Sequence, residues 1–332
     1  MALDFEGKNI LVTGGTGSFG QKFVEVVLKE HNPRSIRVFS RGEHAQWEMA
    51  QKFQDERMRF LIGDVRDKER LSRAMNDVDI VVHAAALKQI VLGEYNPLEV
   101  IQTNVMGSAN VIDAAIDNNV NRVLFISTDK AVNPVNLYGG TKLCAERLFV
   151  QANVYVGQNR RTKFAVARYG NVVGSRGSAI PLFLEQKKSG RITVTDQRMT
   201  RFWITLDQGV RFVLNSLDRM QGGEVFVPKI PSTKVMDLVD VIAPGAEVDF
   251  IGIRQGEKLH EILLAEEESR HAREFDSFFL VEPEFSFWKA ESITGGIRIQ
   301  EKFIYSSDSN SHWLTKEELQ EIVRLYQGGL EV

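Results

Sequence analysis

The sequence predicts an α/β fold, a doubly wound parallel sheet followed by a smaller C-terminal α/β lobe. Two observations carry this prediction. Short apolar runs alternate with longer segments of helical periodicity, as in βαβ units, and a glycine-rich turn follows the first run. Because 332 residues exceed the usual size of one hydrophobic core, we expect two domains, residues 1–170 and 171–332, with interleaving of the two left open.

Apolar runs rich in Val, Ile and Phe define the predicted strands, and six of them suffice for a doubly wound sheet. Between the runs, helical periodicity predicts helices, the second of which has Pro97 near its first turn. After about Gly170 the alternation loosens into short strands, turns and separate helical segments. The predicted strands are residues 9–13, 36–39, 58–62, 80–83, 123–126 and 164–167, and the predicted helices are 19–29, 99–117, 138–155, 258–268 and 316–326.

Composition narrows the classes of partner. The chain has 41 basic and 44 acidic side chains, and its longest like-charge block is Glu266–Glu268, so nothing indicates nucleic acid or a membrane. The single cysteine, Cys144, can form neither an internal disulfide nor a cysteine-based metal site, and it fits a reducing compartment. The N-terminus lacks an apolar signal core, and no run approaches the about 18 apolar residues of a membrane span. We therefore expect a cytoplasmic protein whose partners are small molecules and copies of itself.

The first chemical motif is the turn Gly14-x-x-Gly17-x-x-Gly20, which lies between the first strand and the first helix. Gly14 allows a tight turn, Gly17 lets the backbone approach a pyrophosphate, and Gly20 lets the helix sit close to the sheet. The helix N-terminus then favours the phosphate charge. The motif predicts a dinucleotide site, and the alternative is a tight βα turn without a ligand.

The end of the second strand bears on which dinucleotide binds. NAD sites place an acidic residue there, whereas this chain has Ser40-Arg41, which suits the 2′-phosphate of NADP. The alternative is that Arg41 is a solvated charge and that Glu43 binds the ribose. Asp64, after the third strand, is expected at the adenine edge. The full set of predicted cofactor residues is Gly14, Thr16, Gly17, Ser18, Phe19, Gly20, Ser40, Arg41, Asp64, Val65, Ala84, Ala85, Ala86 and Lys142.

The second motif, Tyr138-x-x-x-Lys142, puts the two side chains one turn apart on a helix. A tyrosine must lose about 3 pKa units to act as a base near neutrality, and one adjacent cation supplies about 1 to 3. Lys142 and an oxidised nicotinamide together would supply that shift. The alternative is a chance pair on a solvated helix.

The third motif, Thr128-Asp129-Lys130, directly follows the fifth strand, where doubly wound folds place ligand groups. It sets an acid beside an amine base, and the alternative is a local salt bridge that orders the loop. His83 ends a strand and is expected to be a hydrogen-bonded core histidine rather than a ligand.

Together with Arg168-Tyr-Gly-Asn171-Val-Val-Gly174, these motifs resemble the extended short-chain dehydrogenase/reductase family, which has a Rossmann fold. Within it, Thr-Asp-Lys in place of Thr-Asp-Glu resembles the inverting UDP-N-acetylglucosamine 4,6-dehydratases that open pseudaminic acid biosynthesis. The resemblance extends to about residue 280, with one departure, Gly140 where the family commonly has Ala. Further similar stretches are residues 83–88, 94–97, 128–134, 175–178, 198–205 and 256–260.

The resemblance implies a reaction and a role for each residue. Tyr138, with Thr128 and Lys142, would take the proton of the 4-hydroxyl while tightly bound NADP accepts the hydride. A neutral Lys130 would remove the proton of carbon 5, and a protonated Asp129 would protonate the hydroxyl leaving carbon 6. The hydride returns to carbon 6, and carbon 5 is inverted.

For the substrate, UDP-N-acetylglucosamine, the resemblance implies a contact with Asn171, and Arg201 and Arg254 are the candidates to pair with the diphosphate. The resemblance also implies a homo-oligomer such as a hexamer. A retaining dehydratase or 4-epimerase would need Glu at position 130 or a neutral residue at 129. A non-catalytic NADP-sensing regulator would be expected to lack the intact Tyr138–Lys142 pair. The predicted substrate residues are Lys88, Asn171, Arg201, Arg254 and His260.

Overall fold

The computed structural model describes residues 5–156, 161–173, 179–285, 287–288 and 293–327. The similar stretch 175–178 and Gly174 lie outside the described residues. The strands are β1 (Asn9–Thr13), β2 (Ser35–Ser40), β3 (Met58–Ile62), β4 (Ile80–His83), β5 (Arg122–Thr128), β6 (Lys163–Tyr169), β7 (Asn171–Val172), β8 (Arg191–Val194), β9 (Thr200–Ile204), β10 (Val225–Pro228), β11 (Ser232–Lys234), β12 (Glu247–Phe250), β13 (Ile262–Leu264), β14 (Ala272–Glu274), β15 (Phe278–Val281), β16 (Ile297–Arg298) and β17 (Tyr305–Ser306).

The helices flank this framework, together with shorter turns of other helical types. They are α1 (Ser18–Glu30), α2 (Glu43–Lys52), α3 (Lys68–Met75), α4 (Ile90–Tyr95), α5 (Pro97–Ile101), α6 (Gly107–Asp117), α7 (Leu137–Gln151), α8 (Ala179–Lys187), α9 (Leu206–Arg219), α10 (Val235–Ile242) and α11 (Lys316–Gln327), with a π-helical turn at Gln102–Met106 and 3₁₀ turns at Asp129–Ala131, Ala152–Val154 and Glu267–His271. None of the helices in the described ranges has the length and apolar character needed to cross a bilayer.

The main sheet has ten strands in the order β16-β14-β15-β10-β6-β5-β4-β1-β2-β3. The strands from β3 to β10 in that order run parallel, whereas β15, β14 and β16 are added antiparallel. This is the predicted doubly wound, Rossmann-like arrangement, and all six predicted strands are found. The sheet also takes strands from beyond residue 170, beginning with the parallel strand β10.

Two predicted helices differ from the observed ones. The segment 99–117 begins earlier, at Pro97, and is interrupted by the π-helical turn. We infer that the buried Asn104 causes this π-helical turn. Its side-chain amide accepts from the Leu87 N–H and donates to the Leu87 carbonyl and the Thr141 hydroxyl. The segment 258–268 is not an α-helix, because its middle forms the strand β13, which pairs with β17. Leu263 and Leu264 are buried in that strand.

Two apolar cores hold the molecule together. The larger lies on both faces of the main sheet, and the smaller joins α8, β8, α10 and α11 through residues such as Ile180, Ile192, Leu238 and Leu319. A buried ion triad ties the sheet to α7: the Arg168 guanidinium donates to both oxygens of Glu146 (3.0 and 2.6 Å) and of Glu268 (2.8 Å each). The helix that carries the Tyr-Lys motif is therefore fixed against β6 by charge as well as by packing.

Candidate active site

The glycine turn has the close packing that the sequence predicts. Gly14 adopts a positive φ of 66°, and a Cβ atom there would lie 2.8 Å from the backbone of Ala85. A Cβ at Gly20 would lie 2.4 Å from the Cα of Gly15, so α1 approaches the turn more closely than any other residue allows. Within the described chain no side chain caps the N-terminus of α1, whose Ncap is Gly17. Gly17 is exposed and closes the turn, since its N–H donates to the Gly14 carbonyl at 3.0 Å. The helix N-terminus that follows is the kind of site that favours an anion.

The predicted cofactor residues lie along the carboxyl ends of β1 to β4. Ser40 is buried and its hydroxyl accepts a hydrogen bond from Gln46 (3.0 Å), whereas the side chain of Arg41 is 51% exposed. Asp64 lies between two guanidiniums, bonded by Arg66 (2.7 Å) and 3.8 Å from Arg41. Burial alone would raise the pKa of Asp64, but the hydrogen bonds from Arg66 lower it. The remaining members nearby are Thr16, Ser18, Phe19, Ala84 and Ala86, all partly buried, and Val65, which is buried in the core.

His83 is a core histidine, as expected. It is fully buried, its Nδ1 lies 2.6 Å from the Thr13 hydroxyl and its Nε2 lies 3.2 Å from that of Ser108. Since Ser108 donates to the Asn104 carbonyl, its oxygen accepts from Nε2, and Nδ1 accepts from Thr13. Burial, with the charge of Lys142 added, lowers the pKa of His83 to about 3, so the ring is neutral.

Asp129 and Lys130 form an ion pair in the 3₁₀ turn after β5. The Lys130 ammonium lies 3.0 Å from Asp129 Oδ1 and donates to the Asn171 amide oxygen at 3.0 Å. Thr128 donates to Asp129 Oδ1 (2.8 Å) and caps the turn. Asp129 is fully buried, and its Oδ2 has no hydrogen-bond partner among the described residues.

The structure has Asp129 and Lys130 in the ion-paired form, not in the neutral form that the elimination step requires. Burial alone would lower the pKa of Lys130, but the carboxylates of Asp129 and Glu261 outweigh it and raise that pKa above the ordinary lysine value. Lys130 is therefore an ammonium here. The physical reason is the ion pair, which the sequence offered as the alternative.

The Tyr138–Lys142 pair also differs from expectation. Burial raises the pKa of Tyr138 to about 12; the charge of Lys130 opposes that rise, and the charge of Asp129 adds to it. Lys142 is not among the charges that shift the Tyr138 pKa: its ammonium donates to the Ile126 carbonyl (2.6 Å) and lies 3.9 Å from the centre of the Phe125 ring. Burial lowers the pKa of Lys142 to about 7, partly offset by Glu146. Tyr138 lies beside the Asp129–Lys130 turn, where the side chain of Thr128 opposes the rise of its pKa.

Two charged residues of this site were missing from the sequence prediction. Glu261 is 3% exposed and lies 3.5 Å from the Lys130 ammonium, and Lys258 contacts Glu261 at 3.5 Å. Lys258 also donates to the Val132 carbonyl at 2.5 Å. Lys258 lies within the stretch 256–260, which the sequence marked only as similar to a family, and Glu261 directly follows that stretch. No local pattern indicates that they reach a turn some 129 residues away in the chain.

The predicted substrate residues divide into two groups. Arg254 is exposed, with a side chain 3.8 Å from Glu257, and Lys88 is exposed after β4. Arg201, in contrast, is nearly buried and its guanidinium donates to the carbonyls of Thr200, Lys258 and Leu259. His260 Nδ1 pairs with the Thr200 hydroxyl at 2.8 Å, and Asn171 binds Lys130 as described. Arg254 is therefore the more accessible of the two predicted diphosphate ligands.

Fold and site together define a Rossmann-like enzyme of the extended short-chain dehydrogenase/reductase type, with a nicotinamide dinucleotide turn and a tyrosine beside an acid–lysine pair. The chain belongs to the family described as polysaccharide biosynthesis protein, whose model matches residues 10–283.

Individual relatives agree with this assignment. The chain is 50% identical to a protein named UDP-N-acetylglucosamine 4,6-dehydratase (inverting) from Campylobacter jejuni subsp. jejuni serotype O:2, over 98% of this chain and 99% of the relative. The X-ray structure of Pen from Bacillus thuringiensis superposes with a TM-score of 0.89 at 38% identity, covering 98% and 99% of the two chains. DesIV, a dTDP-glucose 4,6-dehydratase from Streptomyces venezuelae solved with NAD and TYD bound, has the same fold, with a TM-score of 0.67 at 24% identity and coverage of 76% and 86%.

Proposed function

We propose that this protein is an inverting UDP-N-acetylglucosamine 4,6-dehydratase, a hydro-lyase. Its product would be a UDP-2-acetamido-2,6-dideoxy-4-keto-L-hexose. The observation that carries the proposal is the Asp129–Lys130 ion pair at the end of β5, in which Asp129 is buried, with Tyr138 beside it. The Campylobacter jejuni relative, half of whose residues are identical over nearly the whole chain, supports the same reaction.

The proposed cofactor is NADP, held through each turnover. The Gly14 turn fits a dinucleotide, because such turns need glycine where the backbone turns tightly. The backbone of Gly14 lies so close to Ala85 that no side chain fits between them. The exposed Arg41 beside Ser40 suits a 2′-phosphate. When bound, the cofactor would supply an acceptor for the hydride of carbon 4 and return that hydride to carbon 6.

Tyr138 would take the proton of the 4-hydroxyl in the first step. With a pKa of about 12 it needs stabilisation of its phenolate, and the Lys130 ammonium already acts in that direction. Lys142, whose pKa of about 7 leaves it partly protonated near neutrality, would add positive charge one turn away. Oxidation at carbon 4 makes the proton of carbon 5 acidic and so prepares the elimination.

Asp129 and Lys130 would carry out the elimination. Moving one proton from Lys130 to Asp129 converts the ion pair into a neutral amine and a carboxylic acid, with no change in the charge of the pair. The amine then takes the proton of carbon 5, the acid gives its proton to the departing 6-hydroxyl, and water leaves. That step regenerates the ion pair. A proton from solvent then adds to the opposite face of carbon 5 and inverts the centre, and the proton that Tyr138 took passes to solvent.

For the substrate, we infer that Arg254 pairs with the diphosphate and that Lys88, Asn171 and His260 lie around the sugar. The exposure of Arg254 supports its role, since a bidentate guanidinium must be free to turn toward the phosphates. Arg201 would support the site without touching the substrate, because its guanidinium holds the backbone carbonyls of residues 258 and 259.

We further propose a cytoplasmic homo-oligomer that provides the first intermediate of pseudaminic acid biosynthesis. Large apolar side chains support self-association, because they are exposed along α4, α5 and the π-helical turn. They are Val91, Leu92, Tyr95, Leu98, Ile101 and Met106.

The deciding experiment is incubation with UDP-N-acetylglucosamine in heavy water, followed by proton NMR. We expect deuterium at carbon 5 and the coupling constants of the inverted sugar. Unchanged substrate or a simple carbon 4 epimer would refute the proposal.

The variant Lys130→Ala tests the assignment of the base. It should still reduce the bound cofactor, seen by absorbance, but lose water elimination by about 10²- to 10⁴-fold. Lys188→Ala, at an exposed lysine directly after α8, is the matched control and should behave as the wild type. Retained dehydration in Lys130→Ala would remove Lys130 from the mechanism.

A further inference from the structure

Glu261 is a buried carboxylate that the proposed mechanism does not use. Its side chain is 3% exposed and lies next to three cations: Oε1 is 3.5 Å from Lys130 Nζ and 3.9 Å from Arg201 Nε, and Oε2 is 3.5 Å from Lys258 Nζ. A buried carboxylate is costly unless its charge serves a defined partner.

The backbone around Glu261 is fixed from the other side. Its N–H donates to the Ser307 hydroxyl at 2.9 Å, and its carbonyl accepts from the Ser307 N–H at 2.8 Å. The Ser307 hydroxyl in turn pairs with Thr200 at 2.7 Å. Because these contacts hold the main chain, the carboxylate is not needed to anchor this segment to β17.

The Lys130 ammonium lies between two carboxylates. Asp129 Oδ1 is 3.0 Å away on one side and Glu261 Oε1 is 3.5 Å away on the other. Asp129 Oδ2 is buried without a hydrogen-bond partner among the described residues, whereas Glu261 Oε2 lies 3.5 Å from the Lys258 ammonium. The Glu261 carboxylate therefore joins two lysines, and the Lys130 ammonium in turn joins two carboxylates.

We propose that Glu261 is a positioning residue for Lys130. Together with Asp129 it holds the Lys130 side chain, and its charge controls how readily Lys130 gives up its proton. This inference rests on the proposed function, since it assigns Glu261 a task in the elimination step. Glu261 itself touches neither the sugar nor the cofactor in this role; it acts through Lys130. Lys258 completes the arrangement, because it joins Glu261 to the Val132 carbonyl of the turn that carries Lys130.

The electrostatics of the groups around Lys130 predict the direction of the effect. The charged and titratable groups around it are Asp129 from its own turn, Glu261 and Lys258 before β13, Arg201 from β9 and Tyr138 from α7. Asp129 and Glu261 raise the pKa of Lys130, and Arg201 lowers it. Removing the charge of Glu261 therefore lowers the pKa of Lys130, by about 1 to 3 units for one adjacent charge.

The test compares Glu261→Gln, Glu261→Asp and the wild type by NMR titration of the lysine side chains labelled with ¹³C at Cε. Lys130→Ala identifies the Lys130 signal by its loss. We expect the titration midpoint of Lys130 to fall by about 1 to 3 pH units in Glu261→Gln, and to stay near the wild-type value in Glu261→Asp, which keeps the charge. Glu266→Gln, at an exposed glutamate five positions along, is the control and should leave the midpoint unchanged.

A second measurement follows deuterium incorporation at carbon 5 against pH. The elimination needs the one proton that the Asp129–Lys130 pair shares, so the rate should begin to fall at a lower pH in Glu261→Gln than in the wild type, whereas loss of a merely structural contact would reduce the rate equally at every pH. An unchanged Lys130 midpoint, or a uniform loss of rate, would overturn the inference. Failure of the wild type to release water from UDP-N-acetylglucosamine would instead refute the proposed function, and the NMR titration does not depend on that outcome.

Discussion

At the scale of single residues, the site is governed by charges that act at short range in a buried setting. The pKa values of three groups in this site, Lys130, Tyr138 and Lys258, depend on the charges beside them. Those charges include the carboxylates of Asp129 and Glu261. The residue types of the catalytic motif were predictable, but their protonation states were not. Those depend on Glu261 and on burial, neither of which the motif contains.

Arg41 allows a prediction at this scale about the cofactor. If its guanidinium pairs with the 2′-phosphate, Arg41→Ala should weaken NADP binding by about 10- to 100-fold, the value of a hydrogen bond to a charged group, and leave NAD binding nearly unchanged. Equilibrium titration of the stripped protein with each nucleotide measures both constants. Arg73→Ala, at an exposed arginine of α3, serves as the control, and equal weakening of the two nucleotides would assign Arg41 to another part of the cofactor.

At the scale of elements, α7 must approach the Asp129–Lys130 turn closely enough for Tyr138 to reach Thr128. The contact is made at Gly139, where a Cβ atom would lie 2.1 Å from the Lys130 carbonyl oxygen. The next residue, Gly140, has no atom of another residue within 4 Å of such a Cβ. Asn136 fixes the start of the helix, since its side-chain oxygen accepts from the Gly139 N–H at 2.7 Å.

The two adjacent glycines give a matched pair of variants. Gly139→Ala should displace α7 from the turn and reduce cofactor reduction and dehydration together, because the clash is with backbone. Gly140→Ala should preserve activity and raise the free energy of unfolding by about 0.5–1 kcal/mol, because alanine favours the helix. Urea unfolding and the dehydration assay measure the two effects. Full activity in Gly139→Ala would show that the close contact is dispensable.

The sequence predicted elements where the signal is local. The six strands each have an apolar run, and α1 and α11 have clear periodicity, so all were found. The segment 258–268 was assigned wrongly because a helical pattern in a short stretch says nothing of its pairing partner, which is β17. Glu261 was missed for the same reason, since its partners come from distant parts of the chain.

At the scale of the whole molecule, the exposed apolar side chains of α4, α5 and the π-helical turn predict how copies associate. Leu98, 72% exposed within that patch, should lie in the contact, so Leu98→Glu should shift the protein toward smaller species in sedimentation velocity. Ile297→Glu is the control, because Ile297 is 76% exposed but lies on β16, at the edge of the main sheet. A wild type that sediments as a monomer would contradict the homo-oligomer.

The distance along the chain between Lys258 and the turn it supports, 129 residues, has a consequence for synthesis on the ribosome. The nascent chain presents its glycine turn, its tyrosine and its acid–lysine pair long before Lys258 and Glu261 emerge. The charges that set the elimination step are brought together only when β13 joins β17. Synthesis of both strands is thus a condition for the chemistry.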